Sequence, residues 1–188
     1  MIDLVRMWYR TVKARVRVNE VESEWFETRV GVRQGDTLSP LLFNIFINGI
    51  VGRIKEGGGG VKIGDERVPI LLFADDMVLM DESEEELKKL VDGVEDYCKE
   101  WHLGVNIDKT KVLVVSKDGG KKAKVELEQA ELECVEKYPY LGTLFTADGR
   151  WEEEIDIRVQ TGKVALNGIS KQIVWNKQVR GGSEESPV

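Results

Sequence analysis

Asp75 and Asp76 are the residues of this 188-residue chain best suited to chemistry. They sit between two apolar runs, Ile70-Leu71-Leu72-Phe73-Ala74 and Met77-Val78-Leu79-Met80. Each run has the length of a short strand, and neither shows the polar face of an amphipathic helix. The pattern predicts a β-hairpin buried on at least one face, with both carboxylates at its turn. Negative charge at the tip of an apolar element is costly unless it is compensated. A divalent cation would compensate it, and hard ions such as Mg2+ prefer carboxylate oxygen. The bland alternative is that Asp is common in tight turns and that two of them make only a turn.

A second stretch lies upstream, Gly31-Val32-Arg33-Gln34-Gly35-Asp36-Thr37-Leu38-Ser39-Pro40. Ser39-Pro40 is a strong helix start, because serine caps free N–H groups and proline suits the first helical position. The helix is predicted to run to about Lys55, where Gly57 to Gly60 end it, with Leu42, Ile45, Phe46, Ile50 and Ile54 on its core side. Gly35 lets backbone approach a ligand closely, and the helix N-terminus favours anions.

Arg33-Gln34-Gly35, then Leu38-Ser39-Pro40-Leu41-Leu42-Phe43, then Phe73-Ala74-Asp75-Asp76 about thirty residues on, together resemble the palm of reverse transcriptases. The resemblance is nearest to the non-LTR (LINE-type) retrotransposon enzymes. The two motifs in this order and spacing are highly specific. Val105 to Val115, with Lys109, resembles the next motif of that family, and Tyr140-Leu141-Gly142 its primer-supporting motif. The resemblance covers most of residues 1–175 but only the later portion of a polymerase.

The resemblance implies an α+β fold, a palm-like antiparallel sheet backed by helices and incomplete on its N-terminal side. It implies an RNA-directed DNA polymerase working by two-metal nucleotidyl transfer on an RNA template, a DNA primer and deoxynucleoside triphosphates. Asp75 and Asp76 would be catalytic and hold Mg2+ or Mn2+. Lys109 would neutralise or protonate departing pyrophosphate; the alternative is a surface lysine in a turn. Arg33, Gln34, Gly35, Ser39, Pro40, Phe73 and Ala74 would meet the nucleotide and template. Asp36-Thr37 stands where many relatives have Cys-Pro, and an acid there would repel a triphosphate unless it faces away. The family adds a third aspartate from a strand that would precede residue 1, as would the nucleotide-covering fingers. The expectation is therefore a fragment with weak metal binding, no polymerase activity alone, and an exposed patch where the missing strand would pair. The expected organisation is a partial palm over 1–146, the helical start of a thumb over 147–180, and a disordered tail over 181–188.

The elements follow from pattern. Residues 3–9 read as a helix with Leu4, Val5 and Trp8 on one side. Thr11 to Val18 alternates, placing Lys13, Arg15 and Arg17 on one face; Asn19-Glu20 turns it, and Trp25 to Val32 returns. Val61 to Ile63 and Val68 to Ala74 read as strands around Gly64-Asp65. Ser83 and Glu86 form a capping box for a helix striped by Leu87, Leu90, Val91, Val94, Cys98 and Trp101 and ended by Gly104. Val125 to Leu127 and Leu132 to Cys134 read as a hairpin with glutamates outward. Trp151, Ile155, Val159, Gly162, Leu166, Ile169 and Ile173 mark a last amphipathic helix.

Composition sets the frame. The net charge of −7 is not what a generic nucleic-acid binder carries. Residues 81–100 hold nine acids against three lysines and so account for six of those seven charges. The remainder is nearly balanced, which leaves room for a local basic surface. Two cysteines give no disulfide framework, and no run is long enough to span a bilayer, so an intracellular setting is expected with nucleus and cytoplasm not distinguished. Cys98, His102 and Cys134 supply only three ligands at unhelpful spacing and make no zinc site. The alternative to a polymerase part is a non-catalytic palm remnant that binds nucleic acid or a protein partner. Oligomeric state is not legible.

Overall fold

The computed structural model describes residues 2–117 and 120–175. They form an α+β fold of four helices and fourteen short strands, and the strands pair two by two. The chain divides into two compact units, residues 1–102 and 103–188. The expected tail at 181–188 lies outside the described residues.

The first unit opens with α1 (Ile2–Tyr9) and a long ribbon. In the ribbon β1 (Val12–Ala14) pairs with β4 (Phe26–Thr28), and β2 (Arg17–Val18) with β3 (Val21–Glu22), all antiparallel. Asn19 and Glu20 have φ of 46° and 70°, the two-residue turn expected there and one that favours Asn. The single alternating strand expected over Thr11–Val18 is interrupted. Ala14 faces Phe26 but Val16 bonds to Ser23, so three steps on the returning side oppose two. That extra residue is a bulge, and it divides the ribbon. On α1, Val5 is half-buried, but Leu4 and Trp8 are exposed rather than on the core side.

Helix α2 (Ser39–Glu56) and helix α3 (Glu84–Trp101) form the core of this unit. Ile47, Ile50 and Ile54 of α2 are buried, as are Leu90, Val91, Val94, Tyr97 and Cys98 of α3. Ile45, expected in that core, is 66% exposed, because the buried stripe runs through Ile47 instead. Hairpin β5–β6 (Val61–Ile63, Glu66–Val68) turns at Gly64-Asp65, and Pro69 separates it from hairpin β7–β8 (Ile70–Phe73, Asp76–Leu79). Helix α2 packs on β7, and α3 packs on β8.

One carboxylate fastens these parts together. Asp81 accepts the Gly60 amide at 2.5 Å and the Ser83 amide at 3.0 Å. Gly60 cannot be another residue, since its φ is 97° and a Cβ would lie 2.6 Å from the Pro69 nitrogen. Ser83 caps α3 by accepting the Glu86 amide at 3.1 Å. The other half of the expected capping box is supplied by Asp81, while Glu86 pairs with Lys89. Helix α3 ends at His102, which adopts the left-handed conformation at φ 54°, and not at Gly104.

The second unit contains β9 (Lys111–Leu113), hairpin β10–β11 (Glu126–Leu127, Ala130–Glu131), β12 (Glu133–Val135), hairpin β13–β14 (Lys137–Tyr140, Thr143–Thr146) and α4 (Glu152–Trp175). Val112, Val125, Leu127, Leu132 and Ala147 are its buried apolar residues. The hairpin expected between Val125–Leu127 and Leu132–Cys134 forms as far as Leu132, whose amide donates to the Val125 carbonyl at 2.9 Å, and is left at Glu133. Leu127 pairs with Ala130 across Glu128-Gln129, and Glu133–Val135 pairs in parallel with β9.

Candidate functional site

Hairpin β7–β8 carries the two aspartates. Its register pairs Phe73 with Asp76, so the two-residue turn is Ala74-Asp75 and Asp76 is the first residue of β8 rather than part of the turn. Ala74 has φ 53°, a left-handed conformation that costs a residue with a Cβ about 1 kcal/mol or more. Ile70 is buried and Leu72 half-buried, whereas Leu71 and Phe73 are 44% and 63% exposed. The outward face of this hairpin is therefore apolar up to its acidic tip. Asp75 and Asp76 are both exposed, and neither has a side-chain hydrogen bond or ion pair among the described residues. No cluster of three or more His, Cys, Asp or Glu side chains able to hold a metal occurs among those residues. Two oxygen-bearing side chains suit a hard cation, but among the described residues no third His, Cys, Asp or Glu side chain joins them.

The segment before α2 is built against α1. The Arg33 guanidinium lies 5.7 Å from the Trp8 ring centre and 5.5 Å from that of Tyr9, and donates to the Trp8 carbonyl at 2.8 Å. Its Nε is buried without a partner. Arg33 therefore holds this loop on α1, which differs from the ligand-facing role expected of it. Asp36 accepts the Trp8 indole N–H at 2.9 Å and the Leu38 amide at 3.0 Å. These bonds, the Leu38 amide foremost, keep its carboxyl below the usual aspartate range despite partial desolvation. Asp36, not Ser39, thus serves the start of α2. Ser39 is the first helical residue; its buried hydroxyl donates to the Arg33 carbonyl and meets the Tyr9 hydroxyl at 3.1 Å. Pro40 occupies the first turn as expected. Gln34 and Gly35 are exposed, Gly35 at φ 83° with open space where a Cβ would stand. Its glycine is required by backbone conformation, not by crowding.

Lys109 and Tyr140-Leu141-Gly142 lie in the second unit. Lys109 is exposed in the turn before β9, where the Asn106 side chain accepts its amide at 3.0 Å. The Tyr138 hydroxyl donates to the Lys109 carbonyl at 3.2 Å, tying that turn to the strand that carries Tyr140. Leu141 and Gly142, at φ 48° and 77°, form the two-residue turn of β13–β14. Above it sits Glu154, 6% exposed, which accepts the Leu144 amide at 2.7 Å and pairs with Arg158. The structure thus brings Arg33 and Ser39 together on α1, and Lys109 and Tyr140 onto neighbouring segments.

Sequence reasoning missed Trp8, Tyr9, Asp81, Glu154 and Arg158. Asp81 could have been found two residues before the Ser83 cap, and Glu154 with Arg158 by their four-residue spacing on a helix. Nothing local marks Trp8 as the partner of Asp36.

Comparison with known proteins places these observations. Residues 2–145 match the family model described as reverse transcriptase (RNA-dependent DNA polymerase). The Pol polyprotein of the type-1 retrotransposable element R2 of Nasonia vitripennis is 34% identical over 177 residues, which is 88% of this chain and 17% of that protein. The corresponding polyprotein of the type-2 element R2DM of Drosophila melanogaster is 31% identical over 160 residues, 79% of this chain and 15% of that protein. The chain therefore spans about a sixth of the length of these relatives. The retrotransposon resemblance carried by the Arg33-Gln34-Gly35 and Phe73-Ala74-Asp75-Asp76 stretches agrees with the match along most of the chain, and the chain belongs to the reverse transcriptase (RNA-dependent DNA polymerase) family.

Proposed function

We propose that this chain is part of the palm of an RNA-directed DNA polymerase, and that Asp75 and Asp76 hold the divalent metal for nucleotidyl transfer in the intact enzyme. One observation carries the reading: two adjacent carboxylates, exposed and unpartnered among the described residues, stand at the tip of an apolar hairpin whose turn contains a left-handed alanine. Both carboxylates stand open to solvent, and their oxygens are the donors a hard divalent cation takes. Mg2+ or Mn2+, when bound, would activate the primer hydroxyl and stabilise the leaving pyrophosphate. The chain's own residues do the rest. Gln34 and Gly35 offer an exposed loop to nucleotide and template. Phe73 presents an exposed ring next to Asp76 against which a base or sugar can lie. Lys109 faces solvent and can meet phosphate, and Tyr140, Leu141 and Gly142 support the primer. The partners are then an RNA template, a DNA primer and deoxynucleoside triphosphates. Residues 1–146 act as palm and residues 147–180 as the start of a thumb.

With two carboxylates and no third donor gathered beside them among the described residues, the isolated chain is expected to bind metal weakly and to extend no primer. That same feature favours a second reading, a non-catalytic palm remnant that binds nucleic acid or a protein. The test is Mn2+ titration followed by paramagnetic broadening, together with primer extension. Broadening should centre on Ala74–Met77 and vanish in Asp75→Asn. Broadening elsewhere, or none at millimolar metal, would refute the metal role. Extension by the chain alone, abolished by Asp75→Asn, would overturn its incompetence.

A further inference from the structure

We infer that Glu154 and Arg158 are positioning residues for the Leu141–Gly142 turn, holding it in the shape in which it supports a primer strand. The inference rests on the primer-supporting reading of that turn given above.

The argument starts from what the turn lacks. Leu141 is 52% exposed, and no atom lies within 4 Å of where a Gly142 Cβ would be. A ladder of two four-residue strands is marginal alone in water. Support comes from the first turns of α4. Among the residues of α4 whose burial is described, Glu154 alone is buried, while Ile155, Ile157 and Val159 beside it are about half exposed. A helix docking only to bury apolar surface would turn those isoleucines inward. This one instead buries a charge, which is costly unless the charge is paired and hydrogen-bonded.

Both conditions are met, and the bonds reach Gly142 of the turn and the first two residues of the strand that leaves it. Glu154 accepts the Leu144 amide at 2.7 Å. Its other oxygen pairs with Arg158 Nε. Arg158 Nη2 then donates to Thr143 Oγ1 at 3.0 Å and reaches the Gly142 carbonyl at 3.4 Å. One carboxylate and one guanidinium thus grip three consecutive residues, Gly142 to Leu144. The planar guanidinium fork can do this, and a lysine cannot bridge the same span. Hydrogen bonding to the ionised form, led by the Leu144 amide, also keeps Glu154 charged below the usual glutamate range. A second pair, Lys137 with Glu153 at 2.6 Å, fixes the other end of the hairpin to the same helix.

The experiment uses the full chain with Arg158→Ala, Arg158→Lys, Glu154→Gln and Gly142→Ala. Amide exchange over residues 140–146 is measured beside affinity for a primer–template duplex at several salt concentrations; circular dichroism verifies folding. Arg158→Ala and Glu154→Gln should speed exchange of the Leu144 amide roughly tenfold or more. Exchange in β7–β8 should stay unchanged, and duplex binding should weaken in step. Arg158→Lys keeps the charge but not the fork, so it should loosen the turn while preserving helix and fold. Unchanged Leu144 exchange in both Arg158→Ala and Glu154→Gln overturns the proposal. If Gly142→Ala weakens duplex binding while Arg158→Ala does not, the turn meets the primer but this pair does not position it. If exchange quickens and neither Arg158→Ala nor Gly142→Ala alters duplex binding, the primer reading of the turn fails and the inference falls with it.

Discussion

Asp81 offers the sharpest test of how the first unit is held. It accepts two backbone amides, those of buried Gly60 and of the α3 cap residue Ser83. Asp81→Ala removes both acceptors and leaves the Gly60 N–H without a partner. A hydrogen bond to a charged group contributes about 1.5–3 kcal/mol, and a buried donor left unsatisfied costs about 1–3 kcal/mol. Asp81 is half-buried, so solvent returns some of the loss, and the sum is about 3 kcal/mol. Asp81→Asn keeps one acceptor but turns an N–H2 toward the other amide, so about half that loss is expected. Urea unfolding followed by circular dichroism reads this as a midpoint lowered by about 1 M or more for Asp81→Ala. The pH dependence gives a second handle. Burial raises the Asp81 carboxyl, but the amides of Gly60, Ser83 and Glu82 and the nearby Arg67 outweigh it, leaving the value below the 3.8 of a free aspartate. A depressed carboxylate contributes its full stability above the unfolded value and loses it as pH falls through the folded one. The difference between wild type and Asp81→Asn should therefore be constant above about pH 5 and shrink as pH falls below it. A midpoint for Asp81→Ala within about 0.3 M of wild type, or an acid dependence unchanged by Asp81→Asn, would refute the reasoning.

Further outcomes follow from local geometry. Ala74→Gly relieves the left-handed strain at the hairpin tip, and after the entropy cost of glycine the net gain should be about 0.5–1 kcal/mol by urea unfolding. Gly49→Ala places a Cβ 2.8 Å from the Tyr97 hydroxyl, which donates to the Phe46 carbonyl, so the α2–α3 contact should weaken by about 1–3 kcal/mol. Gly93→Ala meets only the end of the Ile54 side chain at 3.1 Å and should lose less in the same assay. Asp36→Ala should free the Trp8 indole, seen as a red shift of its emission in a chain whose other tryptophans are replaced by phenylalanine. In that chain the same shift should appear in the parent as acid takes it below the usual aspartate range, since the Asp36 carboxyl is depressed.

The sequence made some of this legible and not the rest. Helix α2 could be read because Ser39-Pro40 opens it and four glycines close it, which are local signals. The hairpin that carries Asp75 could be read because the length of its two apolar runs and the acidic break between them are local too. What failed was whatever depends on a partner distant in the chain. Alternation in Leu132-Glu133-Cys134 reads alike in parallel and antiparallel ladders, so its pairing with Lys111–Leu113 was hidden. Ile45 has the right spacing for the core, but which stripe of α2 is covered depends on α3 and β7. Arg33 carried a ligand's chemistry by resemblance, yet its guanidinium is engaged by Trp8 and Tyr9, twenty-five and twenty-four residues earlier. Asp36, the departure that suggested repulsion of a triphosphate, is turned to Trp8 and the start of α2.

The pairing of strands only two by two among the described residues leaves many strand edges open. Each strand of a ladder that narrow has one side whose amides and carbonyls meet no neighbouring strand. Such sides are templates for edge-to-edge growth between molecules. The charged residues on β5 and β6, Lys62, Glu66 and Arg67, discourage it there, but β7 is Ile-Leu-Leu-Phe without a single charge. Crowding this chain should therefore nucleate aggregation through β7 first, and a lysine in place of exposed Leu71 is the substitution to delay it.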